Sequence, residues 1–324
     1  MDARQFFTAS RLLIVAGKGG VGKTTVAASL GAAAARSGVA TLLVEIEGKH
    51  GLARLFGRHE LGTDDTVVAP ADPATGRAAL SARTIRPDAA LLDYFADHGL
   101  TAFGKTLTRM HVLDTLATST PGLKDLIVMG KIKQLAQTHP AELIIVDAPA
   151  SGHAISFLRA AHGLQAGVET GPIRRQADEV VAMLTDPDRA QVLLVTLAEE
   201  TPVNELIETA YALEDEVGIR LGPCVVNAVH PAPDALTPVA VDRRPAVGSR
   251  LPAGIPAAAA AATRWWDTRR EAEAEQLARL LDDLPLERLM LPRRFTTRLD
   301  RDDIGILAGE LLAGIDVLRY GDES

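Results

Sequence analysis

The sequence predicts an α/β protein built on a doubly wound, mostly parallel sheet, and three observations carry that prediction. Apolar, β-rich runs alternate with helical patterns along the chain. The first run, Leu12-Leu13-Ile14-Val15, leads directly into the glycine-rich segment Ala16-Gly17-Lys18-Gly19-Gly20-Val21-Gly22-Lys23-Thr24-Thr25. Two later runs end beside carboxylates, Glu47 and Asp147. In sheets of this class ligands lie at the carboxyl ends of the strands, which is where Gly17, Glu47 and Asp147 fall.

The glycine-rich segment fits the G-x-x-x-x-G-K-[ST] phosphate loop, followed by an Ala/Leu-rich helical pattern. Gly17, Gly19, Gly20 and Gly22 let the backbone curl so that successive N–H groups, that of Val21 included, face phosphate oxygens. Lys23 is placed to reach the β- and γ-phosphates, Thr24 to ligate Mg²⁺ through its hydroxyl, and Thr25 to touch the α-phosphate. Lys18 has two readings. It is either a solvated surface lysine or, since Lys23 already serves this pocket, a charge directed away from it toward a second subunit.

The next strand is expected over Thr41-Leu42-Leu43-Val44-Glu45-Ile46 and ends in Glu47-Gly48-Lys49-His50. Glu47 is the candidate for orienting a water nucleophile; Glu45, on the same face by strand alternation, competes with it. Segments 87–138 and 163–185 read as an inserted helical subdomain, with apolar positions such as Leu91, Phe103, Met110, Leu126 and Ile132. These either pack on the sheet or line a groove for a client. A third strand, Leu143-Ile144-Ile145-Val146, delivers Asp147, the candidate second Mg²⁺ ligand. Strands at 192–196 and 223–227 flank a helix at 201–217, and a proline-rich surface loop is expected over 230–256. A helix from Pro256 to about Asp283 and another from Asp303 to Leu318 complete a single domain spanning 1–324. Its adjacent Trp265 and Trp266 are expected chiefly to pack on the body of the protein.

Composition narrows the function. The chain has 324 residues, 47% of them apolar, enough for a sizeable core. Its net charge of −8 disfavours a nucleic-acid partner. The one cysteine, Cys224, excludes an intrachain disulfide or thiolate metal cluster and sits in an apolar strand pattern. No apolar run approaches the ~20 residues needed to span a bilayer, and the first residues lack a signal-peptide pattern, so a cytoplasmic protein is expected.

These motifs resemble those of the ArsA-type anion-pumping ATPases and their relatives that target tail-anchored membrane proteins, members of the deviant Walker A class of P-loop NTPases. The resemblance rests on Gly17 to Thr25, on Asp147-Ala148-Pro149-Ala150-Ser151-Gly152-His153, and on Leu184-Thr185-Asp186-Pro187-Asp188-Arg189, with weaker matches at Ile85-Arg86-Pro87, Thr120-Pro121-Gly122-Leu123, Val226-Asn227 and Leu291-Pro292. It implies ATP and Mg²⁺ as cofactors, and a homodimer, or a heterodimer with a paralogue, in which Lys18 reaches the partner's phosphates. It also implies that Asn227 reads the adenine edge and that Leu291-Pro292 packs against the base; otherwise Asn227 is a strand-end turn residue. A protein or membrane-receptor partner is left unidentified.

Three departures are evident. Glu47-Gly48-Lys49-His50 stands where the family has Asp-Pro-Ala-His; one cysteine cannot supply the thiolates of a metalloid pump, nor the Cys-x-x-Cys zinc clasp of the targeting members; and the helical insert is short, with Met110, Met129 and Met183 too few for the methionine-lined groove of those members. The expected activity is ATP hydrolysis coupled to binding and release of a partner. The alternative is a nucleotide-binding scaffold that pairs with an active paralogue.

Overall fold

The computed structural model describes residues 2–46, 51–97, 122–149, 151–231 and 255–318. In these, α1 (Ala3–Thr8) is capped by Asp2 and precedes β1 (Leu12–Gly17), α2 (Lys23–Arg36), β2 (Thr41–Ile46), α3 (Gly51–Leu55), β3 (Thr66–Ala69), β4 (Leu80–Ile85) and α4 (Pro87–Asp97). Then come α5 (Leu123–Thr138), β5 (Leu143–Asp147), α6 (Ser151–Gly167), α7 (Pro172–Leu184), β6 (Ala190–Leu197), α8 (Glu200–Glu216), β7 (Arg220–Leu221) and β8 (Cys224–Val229). The chain continues through α9 (Ile255–Asp283), β9 (Arg288–Pro292) and α10 (Arg301–Val317), whose first turn is closed by an Asp300–Asp303 capping box. Among the described residues no helix is long and apolar enough to cross a membrane.

The strands form one sheet in the order β3-β4-β2-β5-β1-β6-β8-β9, with β7 also on β6; every pairing is parallel except β3 with β4 at the edge. On one side of β1 lie β6, β8 and β9 and on the other β5, β2, β4 and β3, so the chain winds to both sides of β1. That reversal beside β1 creates the crevice at which α/β sheets bind ligands. Sequence reading had not separated β3, β4 and β9, whose residues are partly exposed and so do not read as continuous apolar runs.

Side-chain alternation divides the central strands between two cores. Leu12, Ile14, Leu42, Val44, Ile144, Val146, Val192 and Leu194 face α5, α6, α7 and α8. Leu13, Val15, Leu43, Leu143, Ile145, Leu193 and Val195 face α2, α3 and α10. Because both faces are covered, β1, β2 and β5 are buried at every position, and their sequences read as continuous apolar runs. Small side chains make α2 fit: Gly31 abuts Leu43 and Leu80, where an added Cβ would come within 2.9 Å of Leu43.

The expected loop 230–256 lies outside the described residues from 232 to 254, but its first residue is anchored. His230 is buried, its Nδ1 2.6 Å from Glu273 Oε1 and its backbone N–H donating to Glu273 Oε2 at 3.1 Å. Its ring meets Trp266 edge-on at 5.0 Å, and Trp266 in turn contacts Phe295 at 5.4 Å. Trp266 therefore packs on the body, while Trp265 is 59% exposed.

Cys224 lies in β8 with its thiol pushed up to about 12, chiefly by burial against the weaker opposing influence of Arg288. The thiol is thus protonated, and unreactive, at pH 8. Native protein should therefore resist iodoacetamide at pH 8 and label fully in denaturant. Rapid native labelling, followed by mass spectrometry, would show that this strand is not closed.

Candidate nucleotide site

The residues at the crevice are brought together by strand register. Val15 of β1 and Glu45 of β2 both pair with Asp147 of β5, so three strand ends line up beside the phosphate loop. The loop leaves β1 at Gly17 (φ 147°) and enters α2 after Gly22 (φ 93°), with Gly20 also at positive φ. Two of these glycines are required by close neighbours as well as by φ. A Cβ on Gly17 would lie 2.3 Å from the Val195 carbonyl oxygen of β6, and one on Gly22 would lie 2.2 Å from the Asn227 amide nitrogen.

Gly19 and Gly20 are exposed at the tip of the loop, whereas Val21 is buried and holds the loop down. Lys23 is buried, and its ammonium donates to the Lys18 carbonyl at 2.8 Å, closing the loop on itself. The Thr24 hydroxyl donates to Asp147 Oδ2 at 2.6 Å. Asp147 is fully buried, and α2 starts here with no side-chain cap, so its first backbone N–H groups and its positive end face the crevice. A hydroxyl and a carboxylate are hard-oxygen donors. They fit Mg²⁺, which binds through one or two protein ligands and keeps its waters.

Asn227 does not end as a solvated turn residue. Its Nδ2 donates to the Val21 carbonyl at 2.8 Å, tying β8 to the phosphate loop. Ala228 beside it has φ 56°, a strained value for a residue with a Cβ, and the β8–β9 register shifts between Val226 and Val229. That bulge turns the Asn227 side chain toward the loop. The structure splits the Leu291-Pro292 pair: Leu291 is fully buried in the core, so it has no surface to offer a base, and only Pro292 at the strand end retains some.

The two glutamates have separate fates. Glu45 is buried, and its Oε1 accepts the N–H groups of Gly51 at 2.8 Å and Leu52 at 3.3 Å, so this carboxylate is engaged in starting α3. Glu47, with Gly48 to His50, lies outside the described residues, as does the side chain of His153. Lys18 is ion-paired with Glu205 of α8 in the same chain. Sequence reading missed Glu205, which carries no motif, and also Arg54, Thr297 and Arg298. These last three line a cavity of about 740 Å³ that also touches Thr24, Thr25 and Gly51, a volume suited to a nucleotide-sized ligand. Arg54 comes from α3, and the return of the chain after β9 brings Thr297 and Arg298 beside it.

Comparison with known proteins agrees with this geometry. Residues 10–181 match the profile of the anion-transporting ATPases. The ATPase BagA of Mycobacterium tuberculosis is 33% identical over 316 residues, covering 92% of this chain and 90% of its own length. A putative arsenical pump-driving ATPase of Halobacterium salinarum is 27% identical over 239 residues, 68% of this chain and 36% of its own. The ATPase GET3 of Phaeosphaeria nodorum is 29% identical over 152 residues, 46% of this chain and 44% of its own.

Gly17→Ala is expected to force β1 away from β6 and to lower stability by about 1–3 kcal/mol. Chemical denaturation with nucleotide titration would test this. A variant of unchanged stability and unchanged nucleotide affinity would show that the close approach to Val195 is dispensable.

Proposed function

This chain belongs to the anion-transporting ATPase family, and from that premise we propose that it is a Mg²⁺-dependent ATPase that alternates between open and nucleotide-closed dimers to bind and release a partner. The single observation that carries the reading is the Thr24–Asp147 contact at the mouth of a glycine loop closed by Lys23. It places a hydroxyl, a buried carboxylate, an ammonium and a helix N-terminus at one point.

In the proposed reaction, the loop N–H groups and Lys23 hold the β- and γ-phosphates, and Thr25 contacts the α-phosphate. Thr24 and Asp147 hold Mg²⁺, which when bound offsets charge developing on the phosphate oxygens. Glu47 orients the attacking water and accepts its proton. Asn227 and Pro292 bound the adenine, and Arg54 and Arg298 are cations at the outer wall of the pocket.

Lys18 supplies charge to the partner subunit's phosphates, and this role requires it to leave Glu205. The pair is about one-third exposed on each side, so water weakens it and exchange to a phosphate is accessible. The partner subunit is a second copy or a paralogue. A thiolate metalloid cargo does not fit, because the one cysteine is buried in β8. The second reading is a scaffold of weak turnover, favoured by Glu47-Gly48-Lys49-His50 in place of Asp-Pro-Ala-His.

Steady-state ATPase assays with light scattering test the proposal. Lys23→Ala and Asp147→Asn are expected to lower turnover by about 10²-fold or more, and Glu47→Gln to stop turnover while trapping an ATP-bound dimer. Tight nucleotide binding without wild-type turnover, alone or with a paralogue, would favour the scaffold. Glu205→Gln should shift ATP-dependent dimerisation to several-fold lower protein concentration and should have no such effect in a Lys18→Ala background. An unchanged dimerisation curve for Glu205→Gln would remove the same-chain pair from the cycle.

A further inference from the structure

A second cavity lies in the helical layer, lined by α4, α5 and α7 and sharing no residue with the pocket beside the phosphate loop. Its volume is about 190 Å³. That is space for roughly six waters or a small polyatomic ion. Each helix turns one face to it: Ala90, Asp93 and Tyr94 from α4; Ile127, Gly130, Lys131 and Gln134 from α5; Pro172, Arg175, Gln176 and Glu179 from α7. Positions spaced i, i+3, i+4 and i+7 between packed helices are ordinarily apolar. Here they are mostly polar, and they surround a void instead of closing it.

The charges are arranged asymmetrically. The Lys133 and Lys131 side chains are only 9% and 17% exposed, whereas their acidic partners Glu179 and Asp93 are 60% and 51% exposed. The ammonium groups are thus held inside and the carboxylates stand at the rim, where an entering anion can replace them at small cost. Arg175 adds a third cation, and its guanidinium has no hydrogen bond or ion pair among the described residues. Three cations against two carboxylates leave the wall net positive.

Two further features add donors. α7 begins at this wall with Pro172, and its N-cap, Gly171, makes no side-chain capping bond, so the positive end of a 13-residue helix lies at the cavity's margin, with the side of the helix facing the space. Burial raises the Tyr94 phenol above its usual range, which keeps it a protonated donor at neutral pH. Gln176 lies so close to α5 that a Cβ on Gly130 would be 1.8 Å from its amide nitrogen. That approach places the Gln176 Oε1 3.0 Å from the Lys133 ammonium and fixes the lysine in the wall.

We propose that this cavity is a binding site for a small oxyanion with several acceptor oxygens, of the phosphate or dicarboxylate class. The ligand accepts hydrogen bonds from Lys131, Lys133, Tyr94 and Arg175, and displaces the rim carboxylates Asp93 and Glu179 toward water. Its occupancy ties α4 and α7 to α5, the helix that leads through β5 to Asp147. The assignment is independent of the ATPase cycle proposed above.

Isothermal titration of the full chain with inorganic phosphate and, separately, with succinate tests it, with MgADP at saturation to occupy the phosphate loop. The expected result is saturable binding of at least one probe, which identifies the class of anion. Arg175→Glu, an exposed substitution, and Lys133→Gln should each weaken it by about tenfold or more. Lys23→Ala should leave it unchanged. No saturable binding of either probe, equal affinity in wild type and Arg175→Glu, or loss of binding in Lys23→Ala would each overturn the assignment. Circular dichroism of each variant separates lost binding from lost folding, and Arg175→Glu keeps the test decisive if Lys133→Gln does not fold.

Discussion

The close approach of β1 to its neighbours governs the carboxyl edge of the sheet. Gly17 lies against the Val195 carbonyl so tightly that no side chain fits, which brings the phosphate loop directly over β6. From there the loop is held at three further points: Asn227 grips the Val21 carbonyl, Lys23 bonds the Lys18 carbonyl, and Thr24 meets Asp147. Each contact comes from a different strand or from the loop itself. The loop is therefore shaped before any ligand arrives, and the ordering entropy that a flexible glycine run would lose on binding has already been lost in folding.

The same edge carries a second set of close contacts. Glu45 occupies a buried strand position that a carboxylate could not tolerate alone, and it is satisfied by two backbone N–H groups at the start of α3. Gly51 then lets α3 rest on Thr24, where a Cβ would come within 2.8 Å of the threonine methyl. A shift of α3 would consequently be felt at the phosphate loop. Lys18 on the other flank is held by Glu205, so the two charged sides of the loop are restrained by different elements, α3 and α8.

The two faces of the sheet are specialised. The face carrying α2 and α10 is dominated by small and branched apolar residues and packs closely, with α10 resting along α2. The opposite face carries a second layer in which α4, α5 and α7 meet through charged and amide side chains. Burial of the sheet stabilises both faces alike, and in the second the helices leave polar groups gathered round a void, which a close-packed interior normally does not. The phosphate loop and this polar layer are connected through β5, whose residues Ile144 and Val146 face α5 and whose last residue is Asp147.

By itself the sequence determined the alternation of strand and helix, the phosphate loop with Lys23 and Thr24, the pairing of that loop with Asp147, and the burial of Cys224. These are signals of local order: apolar runs long enough to be central strands, glycines where positive φ is needed, and a carboxylate immediately after a strand. Family membership was legible for the same reason, since its motifs are contiguous. Only the tertiary structure decided that Glu45 is engaged by α3, that Leu291 is core while Pro292 is not, that Glu205 holds Lys18, and that Arg54 and Arg298 line the cavity beside Thr24 and Thr25. The edge strand β3, its neighbour β4 and the polar cavity of the helical layer were equally hidden. Glu45 and the start of α3 are only six residues apart, but the other partners are far apart in the chain and joined by strand order or helix packing, so no spacing encodes their meeting; it arises when β1 is placed within the sheet and the cores on its two faces close.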